Sequence, residues 1–287
     1  MAGLPPSQSQ APNRAVLLLG KPLAHSLSPL MQNAAFRALG LSVFYAPLEL
    51  ELSGLKSFFP IFRSSNLLGA NVTVPYKEAV IPYLDGLEKE AAWLGSVNTL
   101  YKKQGKLWGA STDGEGFLFS LGSRRRRLPK SRGLLLGAGG AAKAVAGALA
   151  GAGLKGLFIA NRTPGRAERL RRLVQKRHPR LEVGVVSMKE AQALLPRMDW
   201  VVQATSMGLK PGDPSPLSLA KAPGSLWVAD LIYHRSTAFL REAKRRGLPG
   251  IGGAGMLLYQ GALAFEKWTG RKAPLAVMRQ ALRNALR

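Results

Sequence analysis

Residues 134–153 read LLLGAGGAAKAVAGALAGAG. Three leucines run into a cluster of glycines, and the glycines into an alanine-rich stretch that Gly153 closes, so the segment is a strand, a tight turn and a helix. Gly137, Gly139 and Ala142 stand in G-x-G-x-x-A spacing across that turn. The first glycine makes the turn, the second lets backbone approach a pyrophosphate, and the small third residue lets helix and strand pack closely. The new helix also offers unpaired N–H groups and a partial positive charge to an anion. A glycine match alone has the ordinary explanation of a tight βα turn. Its seat between a strand and a helix favours a Rossmann-type dinucleotide site.

The following strand narrows the dinucleotide. An NAD-binding unit usually ends that strand, about 20 residues on, with Asp or Glu accepting from the ribose 2′-hydroxyl. Here the stretch is IANRTPGR, which carries Asn161, Arg162, Thr163 and Arg166 and no carboxylate. Two guanidiniums suit a 2′-phosphate, which favours NADP over NAD. The competing explanation is ordinary surface arginine in a basic protein.

Beyond this unit, PGRAERLRRLVQKRH predicts a helix starting at Pro164, and LEVGVVS, DWVVQATS and LWVADLIY predict three more strands. Two amphipathic helices separated by Pro274 end the chain. Upstream, AVLLLG, PLMQNAAFRALG, SVFYAPLEL, SGLKSFFPIFRSS and LLGANVTVP alternate strand and helix, the pattern of parallel βαβ units. A helix is expected over about 78–94, then a hairpin turning at Gln104-Gly105. The Gly-, Pro- and Arg-rich segment 120–133 is the best boundary. The expectation is an α/β protein of two open α/β domains with a cleft between them, the first sheet mostly parallel and the second of Rossmann type.

The first domain gathers polar groups at the ends of its predicted elements. HSLSP supplies Ser26 and Ser28, GANVTVPYK supplies Asn71, Thr73 and Lys77, SVNTL supplies Asn98, and STDGEG supplies Asp113. Each has an ordinary explanation: Ser28 as a helix cap, Thr73 as a strand residue, Asn98 as a turn former, Asp113 as the cap of the next helix. Position favours the alternative, because in open parallel sheets ligands gather beyond the carboxyl ends of the strands. Hydroxyls and amides suit a polyhydroxylated substrate. Lys77 can give a proton to a carbonyl oxygen as hydride arrives, with Asp113 orienting it.

Composition sets limits. The chain has 287 residues, 46% of them hydrophobic, enough for real cores. It has no cysteine, which removes disulfides and thiolate chemistry, and its three histidines, His25, His178 and His234, are too scattered in sequence for a metal-ligand pattern. Forty-one Lys and Arg against 16 Asp and Glu give a net charge of +25, which draws anions of any class. The densest run, Arg124 to Arg127, has no interleaved aromatics, so specific nucleic-acid binding is not expected. The Pro-, Ser- and Gln-rich residues 1–13 read as a disordered tail rather than a signal peptide, and the apolar runs are too short to span a membrane. A cytoplasmic monomer or homodimer is expected.

HSLSP, GANVTVPYK, GSVNTL, STDGEGF, GAGGAAKA, NRTPGR, QATSMG and GGAGMLLYQGA occur in one order along the chain. Together they resemble the shikimate dehydrogenase family from about residue 14 to the C-terminus. The resemblance implies NADPH-dependent, reversible reduction of 3-dehydroshikimate to shikimate. It implies acid/base work by Lys77 with Asp113 as partner, and a substrate pocket of Ser26, Ser28, Thr73, Lys77, Asn98, Asp113, Tyr233 and Gln260. It implies a pyrophosphate loop of Gly137, Ala138, Gly139, Gly140 and Ala141, an adenosine-phosphate clamp of Asn161, Arg162, Thr163 and Arg166, and a nicotinamide end lined by Thr205, Ser206, Met207, Leu231 and Gly253. The domains implied are 14–119 for substrate, 120–254 for NADP, and 255–287 as helices returning to the first domain; no metal is implied. Two departures stand out: Ser111 where the family commonly has Asn, and YHRSTAFL after Leu231-Ile232, shorter by about one residue and without the usual proline. A quinate/shikimate dehydrogenase is the close alternative, and a non-catalytic basic nucleic-acid binder on a dinucleotide fold the distant one.

Overall fold

Residues 14–286 are described by a computed structural model; the tail expected over 1–13 lies outside them. The chain begins with β1 (Arg14–Leu19), α1 (Ser28–Ala38), β2 (Val43–Leu48), α2 (Leu55–Ser64) and β3 (Leu67–Val72). β1 lies between β2 and β3 and runs parallel to both, Val16 facing Tyr45 on one side and Gly69 on the other. A parallel strand is covered on both faces, so β1 reads as the nearly continuous apolar run AVLLL.

β5 (Thr99–Lys103) and β6 (Lys106–Ala110) form the expected hairpin, antiparallel to each other, with β5 antiparallel to β3. Its two turn residues, Gln104 and Gly105, sit at φ 52° and 73°, the pair of left-handed residues that a two-residue type I′ turn requires. β4 (Gly86–Leu87) completes a mostly parallel six-stranded sheet in the order β2-β1-β3-β5-β6-β4.

The single helix expected over 78–94 is not formed. Turns carry the chain to a 3₁₀ segment at Ile81–Tyr83, β4 follows, and only Lys89–Leu94 is α-helical, as α3. Pro82 has no N–H to give a continuing helix, and Gly86 tucks under the Trp108 ring, where a Cβ would come within 2.9 Å.

α4 (Asp113–Ser120) leads to the second sheet, which is wholly parallel in the order β12-β11-β10-β7-β8-β9. β7 (Arg132–Leu136), α5 (Gly140–Gly151), β8 (Gly156–Ala160), α6 (Pro164–Arg177) and β9 (Glu182–Val186) wind one way. The chain then returns through α7 (Met188–Leu194) to β10 (Trp200–Gln203), β11 (Trp227–Asp230), α8 (Ala238–Arg245) and β12 (Gly250–Ile251) on the other side of β7. The order therefore reverses between β7 and β10, which opens a crevice at their carboxyl ends.

α9 (Ala254–Thr269) and α10 (Leu275–Ala285) pack on the first sheet: Leu258, Phe265, Trp268 and Met278 share one core with Val16, Phe36 and Tyr45. Each such buried side chain is worth about 1.5–3 kcal/mol over exposure. Trp268 Nε1 donates to the Leu100 carbonyl at 2.9 Å, and Gly69 leaves the space its ring fills. α9 also crosses α4 closely, where a Cβ on Gly116 would meet the Gln260 backbone at 2.6 Å. The two sheets meet elsewhere through α3 and α5, with Gly147 admitting Trp93 and Arg177 lying 4.7 Å over the Trp93 ring.

Candidate active site

Past β3 the chain makes a turn at Pro75 that the backbone fixes, since Tyr76 N–H donates to the Thr73 carbonyl and the Lys77 carbonyl accepts from Val97 N–H at 2.8 Å. Lys77 is thereby tied beside Asn98. Its ammonium pairs with Asp113, the first residue of α4, and the two side chains are only 13% and 9% exposed. Asp113 does not cap its helix, and neither does Ser28; no side-chain capping bond forms at α1 or α4. The ordinary explanations of both residues therefore fail.

Asn98 is the hub of the cluster. Its Nδ2 donates to Asp113 Oδ1 at 2.8 Å and to Thr112 Oγ1 at 2.9 Å, with a longer reach of 3.3 Å to Gln260 Oε1. Its Oδ1 accepts from Thr112 N–H at 2.8 Å and from the Thr99 hydroxyl at 3.0 Å. Gln260, buried on α9, thus brings the C-terminal region to the same point. A buried network satisfied on this scale holds its members rigidly.

A second polar patch lies at the loop before α1. Ser28 is buried, its N–H donating to Ser26 Oγ at 3.3 Å. Burial pushes the Tyr233 phenol above its ordinary range against the opposing pull of the Ser26 hydroxyl and the Leu27 amide. Burial pushes the Tyr45 phenol up strongly, with the Ser28 hydroxyl opposing. Tyr45 then links the two patches: its hydroxyl donates to Asn71 Oδ1 at 2.9 Å, and Asn71 Nδ2 donates to the Asn98 carbonyl at 3.1 Å. Thr73 is half-buried between them, its methyl filling the space that Gly20 leaves.

Residues expected at the dinucleotide site all follow the carboxyl ends of adjacent strands: 137–141 after β7, 161–166 after β8, 205–207 after β10, Leu231 after β11 and Gly253 after β12. Gly137 has φ +117°, and a Cβ there would meet the Ala204 carbonyl at 2.8 Å, so the turn after β7 and the loop after β10 touch. Gly139 has open space around its Cβ position. Gln203, fully buried, pins the loop: Oε1 accepts from Thr205 N–H at 2.7 Å and Nε2 donates to the Met207 carbonyl at 2.6 Å. Gly253 packs so closely that a Cβ would lie 2.1 Å from the Leu231 carbonyl. Ser206 and Met207 are exposed, Ala138 is buried and Ala141 half-buried.

Asn161 Nδ2 donates to the Thr163 carbonyl at 2.9 Å, shaping the segment from which Arg162 and Arg166 emerge exposed. Among the described residues no carboxylate lies within ion-pair distance of either guanidinium. An open glycine turn at a helix N-terminus with two uncommitted arginines one strand away fits a dinucleotide carrying an extra phosphate.

The chain matches the model of the shikimate dehydrogenase substrate binding domain over residues 18–100, that of shikimate/quinate 5-dehydrogenase over 121–210, and that of the shikimate 5′-dehydrogenase C-terminal domain over 253–283. It is 44% identical to the shikimate dehydrogenase (NADP(+)) of Moorella thermoacetica, covering 97% of this chain and 96% of that one. This chain belongs to the shikimate dehydrogenase family. A solved shikimate dehydrogenase in complex with NADP+ superposes with a TM-score of 0.90 at 33% identity, covering 99% and 100% of the two chains. The shikimate 5-dehydrogenase of Thermus thermophilus, in complex with NADP(H) and shikimate, gives a TM-score of 0.83 at 39% identity over 95% and 99%.

Sequence reasoning left Thr99, Thr112 and Tyr45 out of this polar network. Asn71 carried a legible signal, a polar side chain in a strand whose neighbours are apolar. Tyr45 carried none, because alternation in β2 explains a buried tyrosine without a partner. The histidines that looked scattered are not all so: the rings of His25 and His234 stack with centroids 6.2 Å apart.

Proposed function

We propose that this protein reduces 3-dehydroshikimate to shikimate with NADPH, reversibly, Lys77 moving the proton. The observation that carries this reading is the buried Lys77–Asp113 pair set directly against the glycine turn of the second sheet. Bound at that turn, NADPH supplies hydride to the carbonyl carbon. Lys77 gives its proton to the carbonyl oxygen, completing the hydroxyl, and takes it back in the reverse direction. Asp113, fixed by Asn98, keeps the ammonium aimed at that oxygen.

In this reading Ser26, Ser28 and Tyr233 receive the ring carboxylate end, and Thr73, Asn98, Asp113 and Gln260 receive hydroxyls. Arg162 and Arg166 take the 2′-phosphate, Gly137 to Ala141 take the pyrophosphate, and Thr205, Ser206, Met207, Leu231 and Gly253 line the nicotinamide. The working division is 14–119 for substrate, 120–254 for cofactor and 255–287 for closure onto the first sheet. No helix among the described residues is long and apolar enough to cross a membrane, and we place the enzyme in the cytoplasm as a monomer or homodimer, with small molecules rather than nucleic acid as its specific partners.

Quinate is the second substrate to weigh, because one matching family model covers both activities. Rates with shikimate and quinate, each with NADP and NAD, test the choice. The proposal requires shikimate with NADP to be preferred; equal or better turnover of quinate with NAD rejects it.

A further inference from the structure

The stretch after Tyr233 reads HRSTAFL, and its first residue makes three contacts. His234 Nε2 lies 3.2 Å from the Leu209 carbonyl, in the loop that Gln203 pins after β10. Its ring stacks on His25, the residue before Ser26, with an interplanar angle of 17°. The Tyr233 ring packs edge-on against the same imidazole, 5.8 Å away. One imidazole thus touches the loop before α1, the loop after β10 and the tyrosine beside Ser26.

We propose that His25 and His234 form a latch across the cleft, holding Tyr233 and the loop over residues 205–209 above the substrate and so acting as positioning residues for substrate binding. The stack joins a loop of the first sheet to a segment of the second. The substrate-facing groups are divided in the same way, Ser26 on one side and Tyr233 on the other. Of the residues assigned to NADPH, only Thr205, Ser206 and Met207 lie in the loop that His234 reaches through Leu209, and Gln203 pins that loop independently, so loss of His25 leaves cofactor binding nearly intact. Loosening it reduces the fraction of molecules in the substrate-binding arrangement and weakens apparent affinity in proportion. An aromatic pair of this kind is worth roughly a two- to tenfold effect.

The role of the latch in substrate binding rests on the function proposed above; the latch itself can be read without turnover. In ligand-free protein, hydrogen exchange of segments 21–28 and 231–237 is expected to quicken in His25→Ala and to stay at the wild-type rate in His25→Phe, which keeps a ring to stack. In turnover, His25→Ala raises KM for 3-dehydroshikimate by roughly two- to tenfold, leaves kcat and KM for NADPH within about twofold, and His25→Phe restores the wild-type value. His234→Ala added to His25→Ala adds only the loss of the Leu209 and Tyr233 contacts of His234, since the stack is already gone. Unchanged exchange in His25→Ala, or His25→Phe behaving like His25→Ala, overturns the latch. A wild-type protein that exchanges as expected yet does not oxidise NADPH with 3-dehydroshikimate overturns the function while leaving the latch standing.

Discussion

Lys77, on the first sheet's side of the molecule, lies against Gly140, the first residue of α5 on the second: a Cβ placed on Gly140 would stand 3.0 Å from Lys77 Cδ. This contact puts Lys77, the proton donor of the proposed reaction, at the mouth of the glycine turn. It also explains a glycine that the G-x-G-x-x-A spacing does not demand. Gly140→Ala should displace the lysine by a few tenths of an ångström and lower kcat by roughly tenfold, because reacting groups tolerate little misplacement. Steady-state kinetics checks it; unchanged kcat would mean the lysine has room to spare.

Arg162 and Arg166 are exposed and uncommitted, so their removal should cost little stability. The double variant Arg162→Ala/Arg166→Ala should raise KM for NADPH by at least roughly tenfold and that for NADH by less than about threefold. An unaltered preference between the two cofactors would remove the clamp from the account.

Asn98→Leu should be costly twice over. It leaves Thr112 N–H without its acceptor and Asp113 Oδ1 without its donor, both in buried surroundings. About 2–4 kcal/mol of unfolding free energy should be lost in urea titrations. The kcat should fall as well, because Asp113 loses the bond that aims it. A variant of wild-type stability would show that the network relaxes around the loss.

Asp230 gives a pH dependence of known sign. Burial raises its carboxyl above 3.8, outweighing the Thr237 hydroxyl and Ile232 amide that favour the anion. The folded state therefore holds this proton more tightly than the unfolded chain. The stability it contributes is fully present below about pH 3.8 and is lost as pH rises through the folded value. Unfolding free energy measured against pH should fall across that window in the wild type and less steeply in Asp230→Asn. Matching slopes would refute the assignment.

The fold was legible where its signals are local. A parallel strand shows itself as an apolar run, the type I′ hairpin as Gln104-Gly105, and the dinucleotide turn as glycines between strand and helix. The stretch 78–94 misled because its helix-forming residues surround Pro82 and Gly86, and the space under Trp108 that claims Gly86 is made by a distant strand. In the site, Lys77, Asn98 and Asp113 were legible as polar groups at element ends. Their bonding was not, since Asn98 becomes a hub only when α4 and α9 fold over it. The His25–His234 stack was illegible for the same reason: nothing in the separate stretches AHSLSP and YHRSTA speaks of the other.

The most direct measurement is the fall in NADPH absorbance with 3-dehydroshikimate, taken for the wild type and for Lys77→Ala with NADPH affinity measured alongside. The account predicts ready oxidation by the wild type, and a kcat lower by about two to four orders of magnitude in the variant with NADPH binding little changed. Lys77→Ala turning over at close to the wild-type rate would contradict it.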